Sequence, residues 1–126
     1  MGANVVLAAR NKDKLKETEE IIKNSSGECI TVDINVNSEE SIIRAFEEAE
    51  NKYGEISILI NNAGIAVSKS SLKTSIEDWD NVINTNLRGV FACLKVFANN
   101  LVNKEVPGKI VNISSIAAEI VLGNYL

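Results

Sequence analysis

Residues 56–64 read Ile56-Ser57-Ile58-Leu59-Ile60-Asn61-Asn62-Ala63-Gly64, an apolar run broken only by Ser57 that passes abruptly into two amides and a glycine. An apolar run of strand length, without alternation, marks a strand covered on both faces, as in a parallel sheet. Glycine and asparagine then let the backbone turn and approach a ligand closely. The same pattern recurs along the chain. Asn4–Ala9 (NVVLAA) and Cys29–Val32 are short apolar runs upstream, and Lys109–Ile113 (KIVNI) follows Pro107-Gly108 downstream. Each predicts a strand, and the third spans Ile56–Ile60.

Helical periodicity fills the intervals. Asn11 is placed to cap a helix over Lys12–Lys23, with Leu15, Ile21 and Ile22 as its apolar set and Gly27 beyond its end. Asn37 and Glu40 have capping-box spacing ahead of Ile42, Ile43, Phe46 and Ala49, a stripe that ends near Tyr53-Gly54. After a turn-rich stretch, 61–73, Ser75 and Asp78 repeat that spacing. Trp79, Val82, Ile83, Asn86, Leu87, Val90, Phe91, Leu94, Phe97, Ala98 and Leu101 then recur at threes and fours, predicting one long helix with Trp79, Phe46 and Phe91 as core packing. Residues 115–126 read as loop with a short helical turn. The order βαβαβαβ implies an α/β domain over 1–126, three-layer αβα, around a partial parallel sheet of four strands.

Composition excludes several classes of function. The 126 residues are 45% hydrophobic and 24% charged, with thirteen Lys/Arg against seventeen Asp/Glu. A net charge of -4 without basic runs argues against a nucleic-acid platform. There is no apolar stretch of about 18 residues to span a membrane, and Met1-Gly2-Ala3-Asn4 has no secretory leader pattern; a cytoplasmic protein is expected. The absence of histidine excludes Ser-His-Asp and HExxH chemistry. Cys29 and Cys93 stand alone among apolar neighbours, without zinc spacing, and are expected to be buried reduced thiols; no metal site is expected.

In a parallel α/β sheet, ligands bind at the carboxyl ends of the strands, which directs attention to Arg10, Asp33, Asn61–Gly64 and Ser114-Ser115. Arg10 is either a solvated strand-end residue or a guanidinium fork for a phosphate. Asp33 can serve a turn or accept from a ligand amino group. Asn86, on the apolar face of the long helix, either ties backbone together or holds a water near a reacting group. The serines form a plain turn or offer a hydroxyl to a substrate oxygen.

Asn61-Asn62-Ala63-Gly64, Asn86-Leu87-Arg88-Gly89 and Lys109-Ile110-Val111-Asn112-Ile113-Ser114-Ser115, with Ala8-Ala9-Arg10-Asn11 and Val32-Asp33, resemble the short-chain dehydrogenase/reductase family in this order and across the whole chain. The resemblance implies a Rossmann-like sheet and hydride transfer between NAD(H) or NADP(H) and an alcohol or carbonyl compound. It makes Asn86 similar to the active-site asparagine that helps hold a proton-relay water, and Ser115 to the serine that hydrogen-bonds the substrate oxygen. Asp33 looks like the carboxylate beside the adenine amino group, and Asn61, Ala63 and Gly64 like the turn lining the adenosine. Arg10 resembles the basic residue that accompanies a 2'-phosphate, so NADP is favoured, with NAD as the alternative. A homo-oligomer is implied as well.

The chain departs from the family where Ser57 replaces an aspartate and Ala118 a glycine. The family's phosphate-binding glycine loop and first strand lie ahead of Asn4–Ala9, and no such loop occurs here. The family's catalytic tyrosine comes farther past the serine than the ten residues between Ser115 and Tyr125, with a lysine four beyond it; Tyr125 has no such lysine, so either it is that tyrosine in a shortened loop or the Tyr/Lys pair lies beyond this sequence. The expectation is a central fragment, inactive alone, whose missing strand leaves the sheet in two halves. The alternatives are a non-catalytic nucleotide-binding or interaction module and a small flavodoxin-like signalling domain.

Overall fold

The computed structural model describes residues 2–120. Strand β1 (Asn4–Ala9) leads into helix α1 (Lys12–Asn24), where Asn11 accepts the Lys14 amide at 3.0 Å and caps the first turn. Strand β2 (Glu28–Asp33) returns parallel to β1, with Asn4 opposite Glu28 and Ala9 opposite Asp33. Arg10 and Asp33 therefore leave the sheet at the same end. Cys29 turns toward α1, its sulfur 3.9 Å from the Glu19 carbonyl. Strand alternation sends Val32, 1% exposed, to the opposite face.

That opposite face is covered by α2 (Glu39–Tyr53), whose cap is Ser38, not Asn37: the Ser38 hydroxyl accepts the Ser41 amide. Asn37 fits the spacing rule equally well, but its side chain is engaged elsewhere. Gly54 ends α2 at φ 76°, a conformation costly for any residue with a Cβ.

Strand β3 (Ile58–Asn61) begins two residues later than the apolar run, because Ile56 packs against the core without joining a ladder. Strand β4 (Lys109–Asn112) runs parallel to it, with Ile58 opposite Lys109 and Asn61 opposite Asn112. Ile113 lies just past the strand, although its amide still donates to the Asn61 carbonyl at 2.9 Å.

The four strands form two separate parallel pairs, β1–β2 and β3–β4. The inner edges of β1 and β3 are not paired with each other among the described residues, as expected if one strand is missing between them. Ile58, Ile60, Val111 and Ile113 are 44–59% exposed, leaving one face of the second pair largely bare.

The long helix is continuous from Ile76 to Lys104 but not uniform. Helix α3 (Ile76–Ile83) starts in a full capping box between Ser75 and Asp78, passes through a π turn over Asn84–Arg88, and resumes as α4 (Gly89–Lys104). A π turn accommodates an extra residue and rotates the downstream face. Leu87, within the turn, and Phe91, beyond it, are 64% and 63% exposed, and Trp79, upstream of it, is 49% exposed, so the expectation of core packing for Trp79 and Phe91 is corrected. Ile21 and Ile43 also face outward, since the apolar stripes of α1 and α2 are narrower than their sequences suggest.

The core lies between α2 and α4. Ile42, Phe46, Cys93, Phe97 and Leu101 form its centre, with Val36, Leu59 and Val106 packed around it. The rings of Phe46 and Phe97 meet tilted, 6.2 Å between centroids. Gly108 allows the chain entering β4 to pass close to this cluster, since a Cβ there would lie 3.1 Å from the Phe97 ring.

Candidate active site at the carboxyl rim of the strands

The π turn joins the exits of β2 and β3. On one side the Asn86 side chain closes a two-way bond with the backbone of Ile65: Oδ1 accepts the Ile65 amide at 2.9 Å, and Nδ2 donates to the Ile65 carbonyl at 2.8 Å. This clasps the turn that follows Asn61-Asn62-Ala63-Gly64. On the other side, Arg88 Nη1 donates to the Asn37 carbonyl at 3.3 Å, Asn37 Nδ2 lies 3.4 Å from Thr85 Oγ1, and Gly89 packs on Val36. The segment after Asp33 is thus fastened to the same turn. Although the two strand pairs share no ladder, their carboxyl ends are held on one rim.

The side chain of Asn61 is buried and donates to Asn112 Oδ1 at 2.9 Å, bracing β3 against β4 rather than facing outward. Ala63 and Gly64 are exposed, and a Cβ on Gly64 would lie 3.6 Å from Asn86 Oδ1. Arg10 and Asp33 are exposed at the end of the first pair, and Arg10 joins no ion pair among the described residues. Ser115 follows β4, where its hydroxyl oxygen accepts the Ala117 amide at 3.1 Å and caps a short turn, Ile116–Ala118. The Ser115 O–H proton remains available as a donor.

Asn86 is exposed rather than buried, because the π turn moves it off the apolar stripe toward Ile65. Both ends of its amide are engaged, so its direct effect is to fix a loop. Tyr125 lies outside the described residues.

Sequence reasoning missed Thr85, Asn37 and Asn112 as parts of this architecture. Thr85 lies between Asn84 and Asn86 in the sequence, where nothing singles it out, and only the structure shows that it is buried. A second anchor lies farther along the loop, where Lys69 Nζ meets Asp78 Oδ2 at 2.6 Å. The Lys69 ammonium, then the Ser75 amide and hydroxyl, hold the Asp78 carboxyl down at about 2. Burial pushes the Cys93 thiol upward, as suits a packing cysteine, and neither Cys29 nor Cys93 forms a disulfide.

Two surface concavities, of about 340 and 440 Å³, lie away from the rim. The first is lined by Glu19, Ile30, Thr31, Glu48 and Lys52, and the second lies along α2 and α4. Neither contains a predicted site residue, and neither brings together groups suited to chemistry. Among the described residues there is no cluster fit to hold a metal ion, and no helix is long and apolar enough to cross a membrane.

The family model for short chain dehydrogenases matches residues 1–125. The chain belongs to that family. It is 35% identical over 116 residues to 3beta-hydroxysteroid dehydrogenase 1 of Eggerthella lenta, covering 91% of this chain and 44% of the relative. It is 39% identical over 116 residues to a 3-oxoacyl-acyl-carrier-protein reductase of Aquifex aeolicus, covering 91% of this chain and 46% of the relative. Among solved structures, a gluconate 5-dehydrogenase of Burkholderia cenocepacia in complex with NADP and tartrate superimposes with a TM-score of 0.83. That pair is 28% identical, over 98% of this chain and 48% of the other. The chain therefore spans about half the length of the relatives it matches.

Proposed function

We propose that the whole protein is an oxidoreductase that transfers a hydride reversibly between NADP(H) and an alcohol or carbonyl substrate, with NAD(H) as the alternative cofactor. The observation that carries this reading is the clasp of Asn86 and its π turn on both strand exits, which sets the Asp33 end and the Ala63-Gly64 turn on one rim.

The residues present fit the adenosine half of such a dinucleotide. Asp33 offers an exposed carboxylate to accept from the adenine amino group, and Gly64 leaves space beside Asn86 for a ring to lie against backbone. Arg10, exposed and without an ion-pair partner among the described residues, suits a 2'-phosphate through its donor fork. When bound, the dinucleotide supplies or accepts the hydride. Ser115 donates its hydroxyl proton in a hydrogen bond to the substrate oxygen, stabilising charge as it builds there. Asn86 keeps the Ile65 backbone in place so that the floor of the site does not drift. The reduced, buried cysteines suit a cytoplasmic setting. Leu87, Phe91 and Val102, exposed along the long helix, support a homo-oligomer.

The experiment is a titration of the whole protein with NADPH, followed by NADPH oxidation in the presence of ketone substrates. Binding with ketone-dependent oxidation supports the reading, and Ser115→Ala should then lower kcat by roughly 100-fold with little change in NADPH affinity. Turnover unchanged by Ser115→Ala would remove that residue's role. For the 126-residue chain alone, a second reading is a non-catalytic nucleotide-binding or interaction module; the facing edges of β1 and β3, unpaired with each other among the described residues, are open to a partner's strand. NADPH binding without ketone-dependent oxidation would support it.

A further inference from the structure

We infer that Asn37 is a positioning residue that couples the adenosine side of the site to the Asn86 turn; this rests on the dehydrogenase reading above. Asn37 stands four residues past Asp33 and reaches the π turn by two routes. Its carbonyl accepts from Arg88 Nη1 at 3.3 Å, and its amide nitrogen lies 3.4 Å from Thr85 Oγ1, the residue immediately before Asn86. Neither contact is short. Their effect comes from being joined with Val36 packed on Gly89, so that the segment grips the turn on both flanks of Asn86.

Asn37 does more than fill space. Its Oδ1 is buried and has no hydrogen-bond partner among the described residues. A buried acceptor without a partner is destabilising, typically by more than a satisfied hydrogen bond contributes. The amide is therefore a poor choice for stability alone, whereas its nitrogen is the one side-chain group of the β2 exit segment bonded to Thr85. Removing the side chain removes both the unpaired acceptor and the link to Thr85, which separates a positioning role from a structural one.

The test compares Asn37→Ala, Thr85→Val and the double variant with the unaltered whole protein. Four quantities are measured: kcat, KM for NADPH, melting temperature, and amide hydrogen exchange at Ile65. Coupling predicts that Asn37→Ala lowers kcat about three- to tenfold, leaves KM for NADPH within about twofold, and barely moves the melting temperature. It also predicts faster exchange at the Ile65 amide, which Asn86 Oδ1 holds. The double variant should be no slower than the slower single variant, because both remove the same link. Unchanged kcat and Ile65 exchange in Asn37→Ala would overturn the inference while leaving the dehydrogenase reading intact. A lower kcat together with a raised KM for NADPH and a lowered melting temperature would overturn it in favour of a packing role. Absence of NADPH-dependent turnover in the unaltered protein would overturn both.

Discussion

Replacing Gly89 by alanine sets two opposing effects against each other at the point where the β2 exit meets the long helix. Helix propensity favours alanine over glycine by about 0.8–1 kcal/mol. Packing opposes it: the new methyl would lie 2.8 Å from Val36 Cγ2, 3.0 Å from Val36 Cβ and 3.3 Å from the Asn84 carbonyl oxygen. Rotating the Val36 side chain relieves the first contact but not the second, because Cβ moves only with the backbone. The loop after β2, or the start of α4, must give way. Overpacking of this kind destabilises by about 1–3 kcal/mol, so the net expectation is a loss of about 1 kcal/mol and a melting temperature lower by roughly 3–5 °C. NADPH affinity should fall as well, since the displaced segment carries Asp33. Thermal melts and NADPH titrations on Gly89→Ala, Val36→Ala and the double variant test this, with the second substitution expected to relieve the first in part, since it removes Val36 Cγ2 but keeps Cβ. A higher melting temperature for Gly89→Ala, or strict additivity with Val36→Ala, would refute the close packing of the β2 exit on the π turn.

The other predictions concern the rim, the loop anchor and the core. Gly64→Ala should leave the melting temperature nearly unchanged, because its methyl would meet only the Asn86 side chain, at ordinary contact distances of 3.6 and 4.0 Å. It should weaken NADPH binding about tenfold or more, equivalent to about 1.4 kcal/mol; unchanged affinity would remove Gly64 from the cofactor surface. Acid should loosen the start of α3. The folded-state carboxyl of Asp78 sits at about 2, below its ordinary value of 3.8. Its contribution is therefore present above the ordinary value and is lost as pH falls through about 2. The fluorescence of nearby Trp79 should report that transition, and Lys69→Met should move it upward; a midpoint near the ordinary value in the unaltered protein would contradict the anchor. Phe97→Ala, at a side chain 2% exposed whose ring meets that of Phe46 at a tilt, should destabilise by about 3–5 kcal/mol, measured by denaturant unfolding, and a loss below 1 kcal/mol would mean that the core between α2 and α4 is looser than described.

The order of elements was legible because each strand is a short apolar run and each helix carries its own cap or stripe. Asn11 and the Ser75–Asp78 box cap the helices that their spacing implies. The break between β1 and β3 was also foreseeable, once the family resemblance placed a strand between them. What the sequence does not encode locally is the π turn. Residues 84–88 have ordinary helix periodicity, and the extra residue is absorbed through bonds to distant backbone at Ile65 and Asn37. That tertiary effect is why helix periodicity alone puts Asn86 and Phe91 on the buried face. Asn61 illustrates the same limit. Its position at the end of an apolar run marks it as special, but only the pairing of β3 with β4 shows that its amide is engaged by Asn112.

The most direct test is a crystal structure of the whole protein with NADPH bound. The adenosine should lie at the rim between Asp33 and Ala63-Gly64, with the 2'-phosphate at Arg10 and the Asn86–Ile65 clasp intact. A dinucleotide seated at the other end of the strands, or Asp33 and Gly64 contacting different molecules, would contradict it.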